Sequence, residues 1–413
     1  VVTPMRDHQR YYPVRNEDGS LMPYFLTVRN GGTKALENVQ HGNEKVLRAR
    51  LDDAKFFFEN DRKKTLEGHR DDLTRINYQE GMGDMRDKAD RLQKLTEAIG
   101  KDWGFTAEEA ADADRAAFLS KSDLATGMVT EFTELQGEMG KEYALLDGEK
   151  PEVAKAIFEQ YMPRFAGDIL PEQEIGRALS LADKLDNLAA TFLRGLIPTG
   201  SQDPFALRRQ TIGAVNILTD GKIHWDIRRG IEAALALLPG DEETKKTVLS
   251  QIEDFFRQRI KAIMLDEGIA YDIIDAVLAG PVDDIYALFL KARSMAESQL
   301  KDEAELRQAV TRLANITKGK TGGKVDPSLF TEDVEKKLQD AFEAVSAKAL
   351  PLFASYEYGK ALPALKELTA PINDYLDNVM VMVDDEAVKN NRISQLLATL
   401  ALFNAWGDFS KLV

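Results

Sequence analysis

From about Gly42 onward the apolar residues recur at helical rather than strand spacing. In NEKVLRARLDDAKFFFEND, the residues Val46, Leu47, Leu51, Ala54, Phe57 and Phe58 fall on one side of a helix. MRDKADRLQKLTEAIG, PEVAKAIFEQYM, EIGRALSLADKLDNLAATFLRGL and KKTVLSQIEDFFRQRIKAIML repeat the pattern. Breaks fall at Asp102–Thr106, Asp147–Pro151, Pro163–Pro171, Pro198–Pro204, Pro239–Asp241 and Thr317–Pro327. Only the opening differs. RYYPV and SLMPYFLTVRN flank NEDGS, whose Asp18-Gly19 is a hairpin signal. The expected class is mostly α, with a short β remnant at the N-terminus. No fixed-period repeat is present, and 413 residues allow two or three domains.

Composition narrows the function classes. The chain has no cysteine, which removes disulfides and thiolate metal sites and suits a reducing cytosol. No run of eighteen apolar residues exists, so no membrane-spanning helix is expected. VVTPMRDHQR has neither the basic start nor the apolar stretch of a signal peptide, and it lacks an initiator Met. It reads as a piece of a longer chain. A net charge of −15 argues against unspecific coating of nucleic acid, yet a local basic patch remains open.

The segment Lys121–Glu149 is rich in carboxylates. Glu131, Glu134, Glu138 and Glu142 follow steps of three, four and four, so one helix would align them. Such a stripe could hold Mg²⁺ or Ca²⁺, but charged stripes are usually solvated faces. Gly137 and Gly140 weaken a helix here. Histidine is sparse: His8, His41, His69 and His224. None precedes Asp, none completes Glu-x-x-His, and no His-Glu-x-x-His occurs. A histidine metal site is not expected.

TKGKTGGKV imitates a phosphate loop and fails. Gly323-Lys324 would need Gly at 318 and Ser or Thr at 325, where Lys318 and Val325 stand. It reads as a flexible basic loop whose Lys318, Lys320 and Lys324 could meet phosphate as point charges. IPTGSQDPFALRRQTIGAV joins a Gly-Ser turn to a helix start, with Asp203 as cap and Pro204 in the first turn. Its adjacent Arg208 and Arg209 point about 100° apart, so one can pair internally while the other reaches out. In YLDNVMVMVDDEAVKNNRISQLLATL, Asp384 or Asp385 caps a helix with an apolar stripe at Ile393, Leu396, Leu397 and Leu400. Arg392 is read equally as a salt-bridge partner and as an RNA contact.

PMRDHQRYYPV, VRNGG, HGNEKVLRARLDDAKFFFEND, SDLATGMVTEFTELQGEMGKEYA, YMPRFAGDILP, LADKLDNLAATFLRG, PTGSQDPFALRR and DNVMVMVDDEAVKNNR occur in this order. Together they resemble the beta subunit of the bacterial heterotetrameric glycyl-tRNA synthetase, lacking an N-terminal part. Tyr375-Leu376 stands where two Phe are common, and Val388-Lys389 where Leu-Arg is common. The resemblance implies a hairpin remnant of a preceding domain over 1–41 and an HD-like helical domain over 42–241. A helical linker or body follows over 242–326. The C-terminal part of a DALR-type anticodon-binding domain covers 327–413, its start placed as early as about 285. RLANITK, Arg312–Lys318, carries part of that second likeness.

HD enzymes hold a catalytic metal with histidines and a late Asp. By resemblance that region here runs through Ser122-Asp123, Glu142-Tyr143 and Asp183, with the histidines gone. A degenerate cleft is expected, without catalytic or metal-binding residues. The resemblance further implies a tRNA-binding subunit. ATP and Mg²⁺ would be used by the separate alpha subunit, and no cofactor would be bound by this chain. The partners would be the alpha subunit, tRNA-Gly and a second beta subunit, in the cytoplasm and away from membrane. Lys389, Asn390, Asn391 and Arg392 are the anticodon candidates. Arg208, Arg209, Lys318, Lys320 and Lys324 are candidates for backbone contact. The rival readings are a metal-dependent HD-type phosphohydrolase and a helical scaffold subunit without direct RNA contact.

Overall fold

A computed structural model describes residues 2, 5, 9–200 and 202–412. His8 and Ser201 of the Gly-Ser turn therefore lie outside the described residues. The opening is a hairpin: β1 (Tyr11–Arg15) pairs antiparallel with β2 (Leu21–Thr27), and Gly19 turns the chain at φ 83°. That conformation is open to glycine at no steric cost.

Helices fill the rest. First come α1 (Leu36–Asp61), α2 (Leu66–Arg70), α3 (Met85–Trp103) and α4 (Ala107–Leu119). They are followed by α5 (Gly127–Glu131), α6 (Glu138–Leu146), α7 (Pro151–Glu159) and α8 (Glu174–Leu193). Next are α9 (Leu207–Asp220), α10 (Ile227–Ala236), α11 (Glu242–Asp266), α12 (Tyr271–Val277) and α13 (Ile285–Glu297). The chain closes with α14 (Ala304–Thr317), α15 (Asp333–Ala354), α16 (Leu362–Lys366), α17 (Thr369–Asn378) and α18 (Glu386–Asn404). Helix α1 starts before the expected Gly42, so the sequence boundary at 41/42 falls inside a helix.

The helix ends follow local chemistry. Asp84 and Asp87 form a capping box on α3, Thr106 and Glu109 one on α4, and Gly104 closes α3 at φ 75°. Two compact units result. Unit 1 runs to Ala190 and takes in Ala236–Pro239; unit 2 has Thr191–Leu235 and the chain from Gly240 onward. Unit 1 is built on buried Leu92, Leu95, Ile99, Ile157, Leu179 and Leu185. Unit 2 buries Phe256, Ile260, Ile285, Phe289, Phe403, Trp406 and Phe409. Each such side chain contributes about 1.5–3 kcal/mol by leaving water. The Trp406 indole N–H donates to Ser294 Oγ at 3.0 Å, so its one polar atom is satisfied.

Candidate nucleic-acid interface

Around Asp183, one of the residues expected to line a degenerate cleft, unit 1 packs the protein's own cations. Lys88 and Arg91 share a face of α3; Asp183 and Asp186 share a face of α8. Arg91 Nε donates to Asp186 Oδ1 at 2.6 Å and its Nη2 to Oδ2 at 3.2 Å. Lys88 Nζ lies 2.8 Å from Asp186 Oδ2 and 2.9 Å from Asp183 Oδ1, the second contact a close ion pair without hydrogen-bond alignment. Lys121, left-handed at φ 64°, donates to Asp183 Oδ2 at 3.0 Å. Its ammonium also sits 4.0 Å from the Tyr161 ring centroid. Tyr161 Oη donates to Asp123 Oδ1 at 2.8 Å, and the Gly137 amide to Oδ2 at 2.7 Å.

Burial opposes the charge on Asp183, but Lys121, Lys88 and Lys184 outweigh it and hold its carboxyl well below the usual range. Burial pushes the Asp123 carboxyl up. Burial also pushes the Lys184 ammonium down, to about 7. Among the described residues Lys184 Nζ donates to the Met162 carbonyl at 2.7 Å and to Ser180 Oγ at 2.7 Å. A hard cation needs free carboxylate oxygens. Here both oxygens of Asp183 face ammonium groups, and those of Asp123 hold a phenol and an amide. The residues do not fit a metal of the HD kind.

The other two cleft candidates go elsewhere. Tyr143 Oη donates to Asp61 Oδ2 at 2.9 Å, and Asp61 also accepts the Gly127 and Met128 amides at the start of α5. Glu142 is half exposed, 3.8 Å from Lys141. The carboxylate stripe also dissolves. Helix α5 ends at Glu131, Thr133–Leu135 is a separate turn, and α6 begins at Glu138. Gly137 breaks the run at φ 84°, where a Cβ would meet the Tyr161 ring at 2.9 Å. Glu131 pairs with Arg50 at 3.4 Å and Glu138 with Lys141 at 2.7 Å. The glycines weigh more than the spacing, so no common face forms.

In unit 2 the structure brings two candidate sets together. The loop 318–326 after α14 is laid on α18 rather than left loose. The Gly323 amide donates to Ser394 Oγ at 2.8 Å. Asn391 and Asp326 exchange two hydrogen bonds, at 2.7 and 2.9 Å. Gly322 approaches so closely that a Cβ would meet Leu397 at 3.0 Å and the Ser394 Cα at 3.3 Å. Lys318 and Lys324 are exposed and Lys320 is half-buried; none of the three forms an ion pair among the described residues. Lys320 Nζ is 3.7 Å from Met382 Sδ.

The four residues Lys389, Asn390, Asn391 and Arg392 separate as helical geometry requires. Asn390 is exposed, with no side-chain hydrogen bond among the described residues. Lys389 pairs with Glu386. Asn391 and Arg392 turn inward and are buried. Arg392 Nε donates to Glu335 Oε1 at 3.0 Å, Nη2 to Thr331 Oγ1 at 2.7 Å and Nη1 to the Met380 carbonyl at 2.8 Å. Of the two readings of Arg392, the geometry selects the salt bridge, because its donors are engaged inside the unit. Asp385, not Asp384, caps α18, accepting the Ala387 and Val388 amides.

Asp203 accepts the Leu207 and Arg208 amides at 2.8 and 3.0 Å. Pro204 nevertheless lies outside the helix, because Ala206 takes φ 55° and α9 starts at Leu207. Arg208 donates to the Gly200 carbonyl at 2.6 Å, while Arg209 is exposed without an ion pair among the described residues. Arg259, which periodicity alone does not mark, lies 4.6 Å over the Phe255 ring; burial, and then the charge of Arg208, lowers its pKa. Sequence reasoning also missed Met380 and Met382. VMVMV reads as an apolar run before an acidic turn, and no polar alternation marks an outer face.

The helical unit that carries this end is of the anticodon-binding class. The family model described as the DALR anticodon binding domain matches residues 306–406, which take in the lysine loop, the methionines and α18. A second, described as the glycyl-tRNA synthetase beta subunit, matches residues 1–279. The chain belongs to the glycyl-tRNA synthetase beta subunit family. It is 45% identical over 414 residues to the glycine–tRNA ligase beta subunit of Clostridioides difficile, and 43% identical over 417 residues to that of Desulforamulus reducens. It is also 43% identical over 413 residues to that of Desulforudis audaxviator. Each match covers 100% of this chain and 60% of the relative, so the chain spans about 60% of the length of these relatives.

Proposed function

We propose that this chain is a tRNA-holding part of glycine–tRNA ligase. It would grip tRNA-Gly at the anticodon through unit 2 and along the body through Arg209. Lys389, Arg208 and the buried pair Asn391 and Arg392 would then support that grip from behind. The adenylate chemistry, with ATP and Mg²⁺, belongs in this reading to an alpha subunit. A second beta chain completes the cytoplasmic assembly. Within the chain the reading keeps an HD-like domain, a helical body and a terminal anticodon-binding domain.

One observation carries it. In a chain of net charge −15, the end of unit 2 presents Lys318, Lys320, Lys324 and Asn390 together. Lys318 and Lys320 have no carboxylate partner among the described residues and Lys324 has no close ion pair, only an attraction to Asp326, so charge is left available to phosphate. The phosphohydrolase reading is not favoured, because ammonium groups occupy the carboxylate that such an enzyme would lend to a metal. No described helix is long and apolar enough to cross a membrane.

The test is binding of the chain to tRNA-Gly, and to the same tRNA with a changed anticodon, across a salt series. The expected result is preference for tRNA-Gly. Changing Lys318, Lys320 and Lys324 to Ala should then lower the slope of log affinity against log salt by about two. Equal slopes in the variant and the parent would support the scaffold reading instead.

A further inference from the structure

Between α17 and α18 the chain runs Val379-Met380-Val381-Met382 with alternating burial. Val379 is 7% exposed and Val381 8%, whereas Met380 is 74% exposed and Met382 47%. Two thioether side chains thus stand side by side on a stretch whose other face is anchored in the core. Exposed apolar side chains held next to each other on an anchored stretch keep their apolar area in water, and a partner that covers them gains by its removal. Methionine is unbranched and polarizable, so it lies flat against planar groups of varied shape.

Two features fix this ledge and define its surroundings. Arg392 holds it from beneath. While Nε and Nη2 grip Glu335 and Thr331, Nη1 donates to the Met380 carbonyl at 2.8 Å. At its edge Lys320 Nζ approaches Met382 Sδ at 3.7 Å. The loop that carries Lys320 and Lys324 is bonded to Ser394 and Asn391, within one turn of Arg392. Acidic groups stand nearby as well. Asp385 is engaged by the start of α18, Glu386 by Lys389 and Asp326 by Ser328, and Asp384 is left exposed. Hydrogen bonds leave a carboxylate charged, so Lys318, Lys320, Lys324 and Lys389 balance these acids in number; Lys389 is taken by Glu386 and Lys324 acts on Asp326, while Lys318 and Lys320 have no ion pair among the described residues. An apolar shelf with Lys320 at its edge, inside the span matched by the anticodon-binding model, suits a polyanion with exposed planar faces, which is single-stranded RNA, better than an apolar protein surface.

We infer that Met380 and Met382 form the shelf on which unpaired bases of the bound RNA lie, and that Arg392 is the positioning residue that holds it. This rests on the tRNA reading above. The lysines would supply the salt-dependent part of binding and the methionines a salt-independent part. The two parts can be separated.

The experiment uses the full chain with two probes: the tRNA-Gly anticodon hairpin, and the same hairpin with its loop paired to a complementary oligonucleotide. Met380→Ala with Met382→Ala changes exposed side chains, so the fold is retained. The double variant should bind the open hairpin about tenfold more weakly with an unchanged salt slope. Peroxide oxidation of Met380 and Met382, read by peptide mass spectrometry, should slow with the open hairpin and not with the paired one. Arg392→Lys should weaken the open hairpin similarly, and adding it to the methionine double variant should cost little more.

Unchanged affinity and oxidation in a chain that still binds the hairpin through its lysines would overturn the shelf and leave the tRNA reading standing. Binding of neither hairpin nor tRNA would overturn both. Slowed oxidation with an added protein subunit, but not with RNA, would make the ledge a protein interface and overturn the assignment. Fully additive losses would remove Arg392 from its positioning role.

Discussion

Lysine is put to opposite uses in the two units. In unit 1, Lys88, Lys121 and Lys184 are buried, two of them against Asp183. In unit 2, Lys318 and Lys324 stand exposed without ion pairs among the described residues, and Lys320 leans on a thioether. Enclosed charge must be matched within the fold, since desolvation is otherwise too costly. Unmatched charge at a surface is cheap for stability and available to a polyanion. The first cluster therefore organises a fold, and the second leaves charge at the surface for the polyanion of the proposed function.

The largest effect expected from that contrast is on stability. Lys88→Met removes the ammonium shared by Asp183 and Asp186, and should cost about 3–5 kcal/mol in urea unfolding. Lys320→Ala should stay within about 0.5 kcal/mol of the parent. Similar losses for both substitutions would end the comparison.

A second effect is pH-dependent. Lys184 has its folded pKa lowered from 10.5 to about 7, by burial first, in a field set by Asp183, Lys121, Asp168 and Lys88. Between those values the unfolded chain holds the proton and the folded chain does not. Stability should therefore rise as pH climbs from about 7 towards 10, with the burden fully present below about 7. Denaturant midpoints at pH 7 and pH 9 check this. Lys184→Met should flatten the difference, and an equally steep difference in that variant would rule the assignment out.

The smallest effect sharpens the boundary of the buried cluster. Glu142→Gln should change stability by less than about 0.5 kcal/mol, because Glu142 is half exposed and only loosely paired with Lys141. A loss above about 2 kcal/mol would bring it back into the cleft.

Much of the fold was legible because it is local. The hairpin at Asp18-Gly19 and the breaks at Asp102–Thr106, Asp147–Pro151 and Pro239–Asp241 fall at observed element ends, although Asp102 and Trp103 still belong to α3 and Pro151 already opens α7. Caps, glycines and periodicity act within a few residues, so sequence carries them. The stripe of Glu131, Glu134, Glu138 and Glu142 was misread because Gly137 must clear the ring of Tyr161, a contact no spacing announces. The cleft was only half legible. Asp123 and Asp183 are buried, and their partners Lys88, Lys121 and Tyr161 come from distant segments.

The sequence by itself determined the helical class, the caps, the lack of thiolate chemistry and an acidic balance with few basic islands. These follow from residue type and short spacing. Tertiary structure alone decided which charges are enclosed and which are free. It turned Arg392 inward and Asn390 outward, laid the lysine loop on α18 and left Met380 and Met382 facing water. The reason is physical: the state of a charge or an apolar surface depends on what comes to lie against it, and the groups that settle it here lie dozens of residues away in the chain.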